Sequence, residues 1–251
     1  MGWTLSDIAG SLVLPDWPAP ANVRAVCSTR LGGVSTAPFD SLNLGQHVND
    51  SVDAVRENRQ RYQQLAKMPA PPVWLQQVHG CKVLTLNRLS AADALADAAF
   101  TTEPGVVATV MTADCLPLLL CDSAGTQVAA IHAGWRGLCN GVIEATLAKF
   151  AAPETVMVYL GPAISQAAFE VGAEVRAAFV AQGAEAAQAF KPGAGAKFFA
   201  DLYLLARQRL QQQGVSQIYG GHYCTYQQPQ LFFSYRRDGQ TGRMASSIWL
   251  D

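Results

Sequence analysis

The stretch "MTADCLPLLLCDSAGTQVAAIHAGWRG", residues 111–137, decides how the chain is read. Two apolar runs, 118–121 and 128–132, flank a short turn at 122–126 that contains Gly125, so they read as the arms of a β-hairpin. A third β-rich run, 106–112, comes just before them. Between the runs stand Asp114 and Cys115, with Pro117 close behind, and His132 closes the second arm. Burial explains the leucines and valines. It leaves three readings open for Cys115: a small core residue, a nucleophile or a metal ligand.

Working outward, residues 23–30 ("VRAVCSTR") read as a strand that ends in the Gly-rich turn "LGGVS". The polar segment "FDSLNLGQHVND" reads as a loop. Residues 51–67 have helical periodicity, with Asp50 as N-cap and Val52, Val55, Tyr62 and Leu65 near one face. "PVWLQQVHG" and "KVLTLN" are strand-like, the first ending at His79-Gly80. Beyond the hairpin, 138–150 reads as a helix with a stripe of Val142, Ile143, Leu147 and Phe150. "TVMVYLGP" reads as a buried strand. Helices are expected at 172–181 and 198–212, the latter stopped by Gly214. "QIYGGHYCTY" and "GRMASSIWL" return to strands. Helices and strands mix without strict βαβ alternation, which predicts an α+β or layered α/β fold. Neither a repeat nor a linker divides the chain, so one domain over residues 1–251 is expected.

Composition narrows the partners. The chain has 251 residues, half of them hydrophobic and 15% charged, which predicts a compact globular protein. A net charge of −1, with no block of Lys or Arg, gives no electrostatic case for nucleic acid or an anionic membrane. A small-molecule substrate is the partner this composition accommodates. The most apolar window, 106–121, is interrupted by Asp114 and Pro117 and falls short of a bilayer span. The first twenty residues lack the features of a secretory signal, although Gly2 and Ser6 meet a loose myristoylation pattern. A soluble, cytoplasmic protein is expected, with its six scattered cysteines reduced. Nothing in the sequence fixes the oligomeric state.

Three residues share one kind of position. His79 ends a strand in "QVHG", Cys115 follows one in "TADC", and His132 ends one in "IHAGWRG". Strand ends that converge on one sheet edge bring distant residues together. Two imidazoles and a thiolate suit zinc, and three protein ligands leave a fourth position open. Asp114 is placed to orient a histidine or act as general base, and Arg136 to hold an anion. Packed core residues, or a Cys–His hydrolase built on Cys115, account for the same residues equally well.

The blocks "STRLGGVS", "FDSLNLGQHV", "WLQQVHG", "VMTADCLPLLLCD", "VAAIHAGWRGLCNGVIEAT", "LGPAISQAAFEVG" and "FFSYRRDGQTGRMASSIWL" together resemble the YfiH family. The resemblance runs from about residue 15 to the end. Members have been called laccase-domain proteins, peptidoglycan editing factors, and purine nucleoside phosphorylases with adenosine deaminase activity. The resemblance implies a single layered α/β domain, similar in fold to deamidating toxins that use a Cys–His pair. It also implies a metal site at His79, Cys115 and His132. Copper is possible in the same site, since it outcompetes zinc for N and S ligands. A multicopper oxidase, however, needs many more histidines than the four present, and Met111 lies too far along an extended chain from Cys115 to be an axial ligand.

The implied activity is zinc-dependent: phosphorolysis of adenosine, inosine, guanosine or methylthioadenosine, and deamination of adenosine. His79, Cys115, His132 and Asp114 form the implied catalytic set. Phosphorolysis needs a phosphate cradle, for which Arg30 and Arg136 are the best-placed arginines, while Asn43 is placed to meet ribose or base. Phe232, Phe233, Tyr235 and Arg236 in the tail are alternatives for stacking or phosphate, with core packing as the plainer reading. An amidase that removes misincorporated L-serine from a UDP-muramyl cell-wall precursor is the competing activity, and a non-catalytic metal-binding protein the third.

Overall fold

The computed structural model describes residues 10–90 and 92–251, so the Gly2/Ser6 pattern lies outside the described residues. The hairpin forms as expected. Strand β8 (Leu116–Asp122) pairs antiparallel with β9 (Val128–Ala133), from Leu116 opposite Ala133 to Cys121 opposite Val128. Asp122 fastens the turn, its carboxylate accepting from Thr126 N and Oγ1 and from Gln127 N. Pro117 is tolerated in this central strand because its partner His132 turns its own N–H the other way, to Asp97 O. No ladder bond to β9 is lost.

β8 lies inside a six-stranded sheet ordered β14 (Gln217–Gly220), β10 (Val156–Leu160), β8, β9, β6 (Ala98–Thr101), β4 (Val83–Thr85). Its two outer pairs are parallel and the rest antiparallel. A four-stranded antiparallel sheet runs β1 (Leu12–Val13), β2 (Val23–Ser28), β15 (Met244–Leu250), β7 (Ala108–Thr112). Side-chain alternation stacks the two. Leu116, Leu118 and Leu120 of β8 face helical residues such as Leu138, Ile143 and Leu205, whereas Leu119 and Cys121 face Val110 and Ile248 of the smaller sheet. The smaller sheet's far face, with Val26, Met111 and Trp249, packs on Tyr62 of the helix Val52–Leu65. The layers therefore run helix, sheet, sheet, helix, a mixed α/β architecture as expected. Both faces of β8 are covered, which is why it reads as an unbroken apolar run.

Several boundaries differ from the sequence reading. Ser51, not Asp50, caps the helix Val52–Leu65; Asp50 instead accepts from Ser35 Oγ and Asn43 Nδ2. The buried face of that helix is Val55, Asn58 and Tyr62, while Val52 is exposed. The single helix expected at 138–150 is two, Trp135–Asn140 and Val142–Leu147, parted by Gly141 at φ 101°. Residues 198–200 belong to β13 (Lys197–Ala200), and the helix Leu202–Gln212 starts only after its cap, Asp201. The stretch before His79 is strand only at β3 (Leu75–Gln76), which pairs with β5 (Ala94–Leu95), so His79 itself lies in a loop. β11 (Glu170–Gly172) and β12 (Phe190–Pro192) flank β13 in a small third sheet. Among the described residues no helix is long and apolar enough to cross a membrane.

Asn58 explains how a polar residue sits mid-face in a packed helix. Its Oδ1 accepts from Val34 N, and its Nδ2 reaches Ser35 Oγ, Ser41 O and Asn43 O within 3.1 Å. It thereby pins the loop that leads to the cleft described below. Asn58→Ala strands these buried groups and is expected to cost about 2–4 kcal/mol in urea unfolding. A loss within experimental error contradicts this role.

Candidate metal centre and the cleft above it

The open end of the β8–β9 hairpin places two of the three candidate ligands. Cys115 sits immediately before β8, and His132 is the penultimate residue of β9. Two left-handed turns accompany the group: Asp114, just before Cys115, has φ 94°, and the third candidate, His79, has φ 61°. Left-handed backbone at non-glycine residues is uncommon and costs energy, so surrounding bonds must hold it. The donor atoms of His79, Cys115 and His132 all lie within 4.8 Å of one another. Cys115 Sγ is 3.8 Å from His79 Nε2, and the two imidazoles meet edge to face at 4.8 Å between centroids. Gly134 makes room for them, because a Cβ there stands 2.7 Å from His79 Cδ2 and 3.1 Å from Cys115 Sγ.

Asp97 binds the arrangement together, and nothing in the sequence singled it out. It is fully buried. Its Oδ1 accepts from His79 N and lies 2.8 Å from His132 Nδ1; its Oδ2 accepts from Gly80 N and Val78 N. Burial opposes its charge, but the His132 imidazole and the backbone donors outweigh burial and bring its pKa below the ordinary carboxylate value. A proton on His132 Nδ1 pointing to Asp97 leaves Nε2 facing Cys115. Burial likewise opposes a thiolate at Cys115, yet His132 and His79 bring its pKa down to about 6. For His132, burial is outweighed by Cys115 and Asp97, which raise its pKa to about 9. Cys121, six residues along, has no such partners and burial pushes it up to about 12.

The triad fits a metal ion. A tetrahedral zinc site holds its N and S donors about 3.6 Å apart, close to the span seen here. Two imidazoles and a thiolate suit a borderline-soft ion such as zinc or copper. Among the described residues no further His, Cys, Asp or Glu joins the group, so a bound ion keeps a position open.

The three side chains line a cleft of about 670 Å³, together with His47, Arg59, Gln77, Tyr235 and Arg243. Arg59 stacks on Trp74 and donates to Leu44 O; burial lowers its pKa to about 10, leaving it charged at neutral pH. Arg243 donates to Thr241 O and Gly242 O. Among the described residues neither guanidinium is ion-paired with a carboxylate. Gln77 clasps both backbone groups of Met111.

The other sequence candidates are distributed differently. Asn43 is fully buried, and its Oδ1 accepts from Gly45 N and Arg243 N, so it shapes the cleft wall without lining it. Arg30 is taken up by Asp40 and Pro229 O over the Phe233 ring, and it does not line the cleft. Both carboxylate oxygens of Asp114 are engaged, by Thr225 Oγ1 at 2.6 Å and Arg236 N at 2.7 Å. Arg136 and Asp114 do not line this cleft but a smaller chamber that shares His79, Ala113, Cys115 and Tyr235 with it. Phe232 and Phe233 are core, whereas Tyr235 is exposed and lines both spaces. Arg59 and Arg243 escaped the sequence reading because each carries no local motif and only the fold brings them together.

A layered α/β sandwich with a His₂Cys site at the open end of a central hairpin defines the class. Residues 24–251 match the family described as multi-copper polyphenol oxidoreductase laccase, and the chain belongs to that family. It is 57% identical to the purine nucleoside phosphorylases YfiH of Shigella flexneri and of Escherichia coli, over 95% of this chain and 98% of each of theirs. It superposes on the crystal structure of Neisseria meningitidis protein NMB0706 with a TM-score of 0.90 and 51% identity, covering 96% of this chain and 99% of that one.

Because Asp97 orients His132 and fixes the His79 backbone, Asp97→Asn is expected to weaken zinc binding about 10–100-fold in competition with a chromophoric chelator. Gly134→Ala, which drives a methyl against His79, is expected to weaken it as well while leaving the far-ultraviolet circular dichroism unchanged. Unaltered affinity in both variants contradicts the geometry described.

Proposed function

We propose that the chain is a zinc-dependent purine nucleoside phosphorylase that also deaminates adenosine, with His79, Cys115 and His132 holding the zinc. The observation that carries this reading is the pairing of a candidate metal site with two arginines in one cleft, neither of them in a salt bridge with a carboxylate among the described residues. The names of the 57%-identical relatives agree with its phosphorylase part. Copper-based polyphenol oxidation fits the residues poorly, since four histidines cannot build a blue copper and a three-copper cluster.

The chain's own groups divide the work. Arg59 and Arg243 hold inorganic phosphate by charge and by their N–H groups. The cleft positions the ribose so that a phosphate oxygen attacks C1′ as the bond to purine nitrogen breaks and its electron pair leaves with the base. Asp97 keeps His132 in the tautomer whose Nε2 faces the metal position. Zinc, when bound, supplies Lewis acidity toward a substrate oxygen or a water. Asp114 holds the Cys115 turn through Thr225 and Arg236, a role in positioning rather than in proton transfer.

Inosine incubated with the protein is expected to give hypoxanthine and ribose 1-phosphate only when phosphate is present; adenosine without phosphate is expected to give inosine. Cys115→Ala should lose metal and both activities together, and Arg243→Ala should raise KM for phosphate by about tenfold or more, the loss of about 1.4 kcal/mol of binding. Base release that ignores phosphate, or full activity in Cys115→Ala, overturns the proposal. Cleavage of a UDP-muramyl-serine substrate in the absence of nucleoside turnover points to the amidase instead.

A further inference from the structure

A separate cavity of about 860 Å³ shares no wall residue with the cleft or with the smaller chamber beside Cys115. Its walls gather groups that the proposed reaction does not use. Lys191 and Arg207 supply positive charge, and among the described residues neither is in a salt bridge with a carboxylate. Arg207 is held in place by Ile218 O and Gly220 O, which accept from its NH1 and NH2 and leave its remaining N–H groups uncommitted. His222 and Tyr223 set two rings 4.4 Å apart along the wall, and the Tyr223 ring is fixed edge to face on the buried Phe232. Asp201 caps its helix with Oδ1, while its Oδ2 makes no hydrogen bond among the described residues.

These walls select a ligand by chemistry. A purely apolar compound meets two cations and a carboxylate here, and a bare anion leaves the rings unused. A nucleoside monophosphate uses all three features: its phosphate pairs with Lys191 and Arg207, its base stacks on the His222 and Tyr223 rings, and a sugar hydroxyl donates to Asp201 Oδ2. The cavity is also tied to the metal centre. Ser165 and Cys224 both line it, and Cys224 Sγ accepts from Ser165 Oγ at 3.0 Å and from Ser165 N at 3.4 Å. The neighbour of each reaches Asp114: Ile164 N donates to Asp114 O at 3.0 Å, and Thr225 Oγ1 to Asp114 Oδ1 at 2.6 Å. Asp114 is the left-handed residue that sets Cys115.

We infer that this cavity is a second ligand site, for a nucleoside monophosphate, and that its occupant steadies the turn carrying Cys115. The ligand lies against both segments that hold Asp114, so binding that fixes them favours the arrangement in which Cys115 meets the two histidines. Coupling of this kind is reciprocal: a ligand that tightens the metal site is itself bound more tightly when the metal is present. The coupling rests on the metal-site reading, whereas the binding does not.

The test is equilibrium dialysis of the full chain with radiolabelled AMP, followed by zinc competition against a chromophoric chelator with and without AMP. Lys191 and His222 are exposed, so Lys191→Ala and His222→Ala should fold. Each is expected to weaken AMP binding about tenfold or more, and Arg243→Ala, in the other cleft, less than about twofold. Saturating AMP is expected to tighten zinc binding about fivefold or more in the native protein and to leave Lys191→Ala unchanged. AMP bound equally by the native protein and both variants overturns the inference. So does AMP binding lost in Arg243→Ala, displacement of AMP by an equal concentration of inorganic phosphate, or native protein that does not bind AMP. Zinc affinity that ignores bound AMP overturns the coupling. AMP binding with the expected pattern in a protein that holds no zinc keeps the nucleotide site and removes the metal-site reading instead.

Discussion

One buried carboxylate holds the site together. Asp97 is removed from water, where an unpaired charge costs several kcal/mol, and it offsets that cost with four donors. Three are backbone N–H groups of the turn at Val78–Gly80, and the fourth is the His132 ring. A single side chain thus fixes the left-handed backbone of His79, the tautomer of His132 and the distance between them. It stands just ahead of β6, which pairs with β9, so the sheet delivers the carboxylate beside the imidazole it orients. His79 itself is an exposed loop residue, and this anchor is what fixes its backbone.

The same economy explains why one twelve-residue stretch contains two cysteines of opposite character. Cys121 points between the two sheets among Leu119, Val110 and Ile248, where burial leaves a neutral thiol. Cys115 lies where β8 begins, at the sheet edge, and the imidazoles there favour its thiolate. Side-chain alternation and the end of a strand, rather than any difference in residue type, separate filler from candidate ligand.

How much of this was legible follows from range. The hairpin was readable because its signals are local: two apolar runs and a glycine turn. Cys115 and His132 were readable as residues at strand ends, and His79 was read the same way although it lies in a loop; choosing metal over core or nucleophile needed the family resemblance. Asp97 lies in the alanine-rich run "ADALADAAF", where no spacing marks it. Arg59 sits on a polar helix and Arg243 in a tail loop, nearly two hundred residues apart, so their meeting is a product of tertiary packing. The break at Gly141 was missed because a lone glycine inside a helical pattern is tolerated and carries no stop signal of its own. Arg30 and Asn43 were chosen for their place beside turns, and the fold spends their hydrogen bonds on the turns themselves. Asp114 was chosen for its place beside Cys115, and the structure shows its oxygens already bonded.

The central claim is that His79, Cys115 and His132 together hold one metal ion. X-ray absorption spectroscopy at the zinc edge, on protein purified without added metal, tests it most directly. The account predicts one zinc per chain, with one sulfur and two imidazoles among its ligands and a lighter oxygen or nitrogen donor completing four. A zinc environment without sulfur, or with two sulfurs, would contradict it.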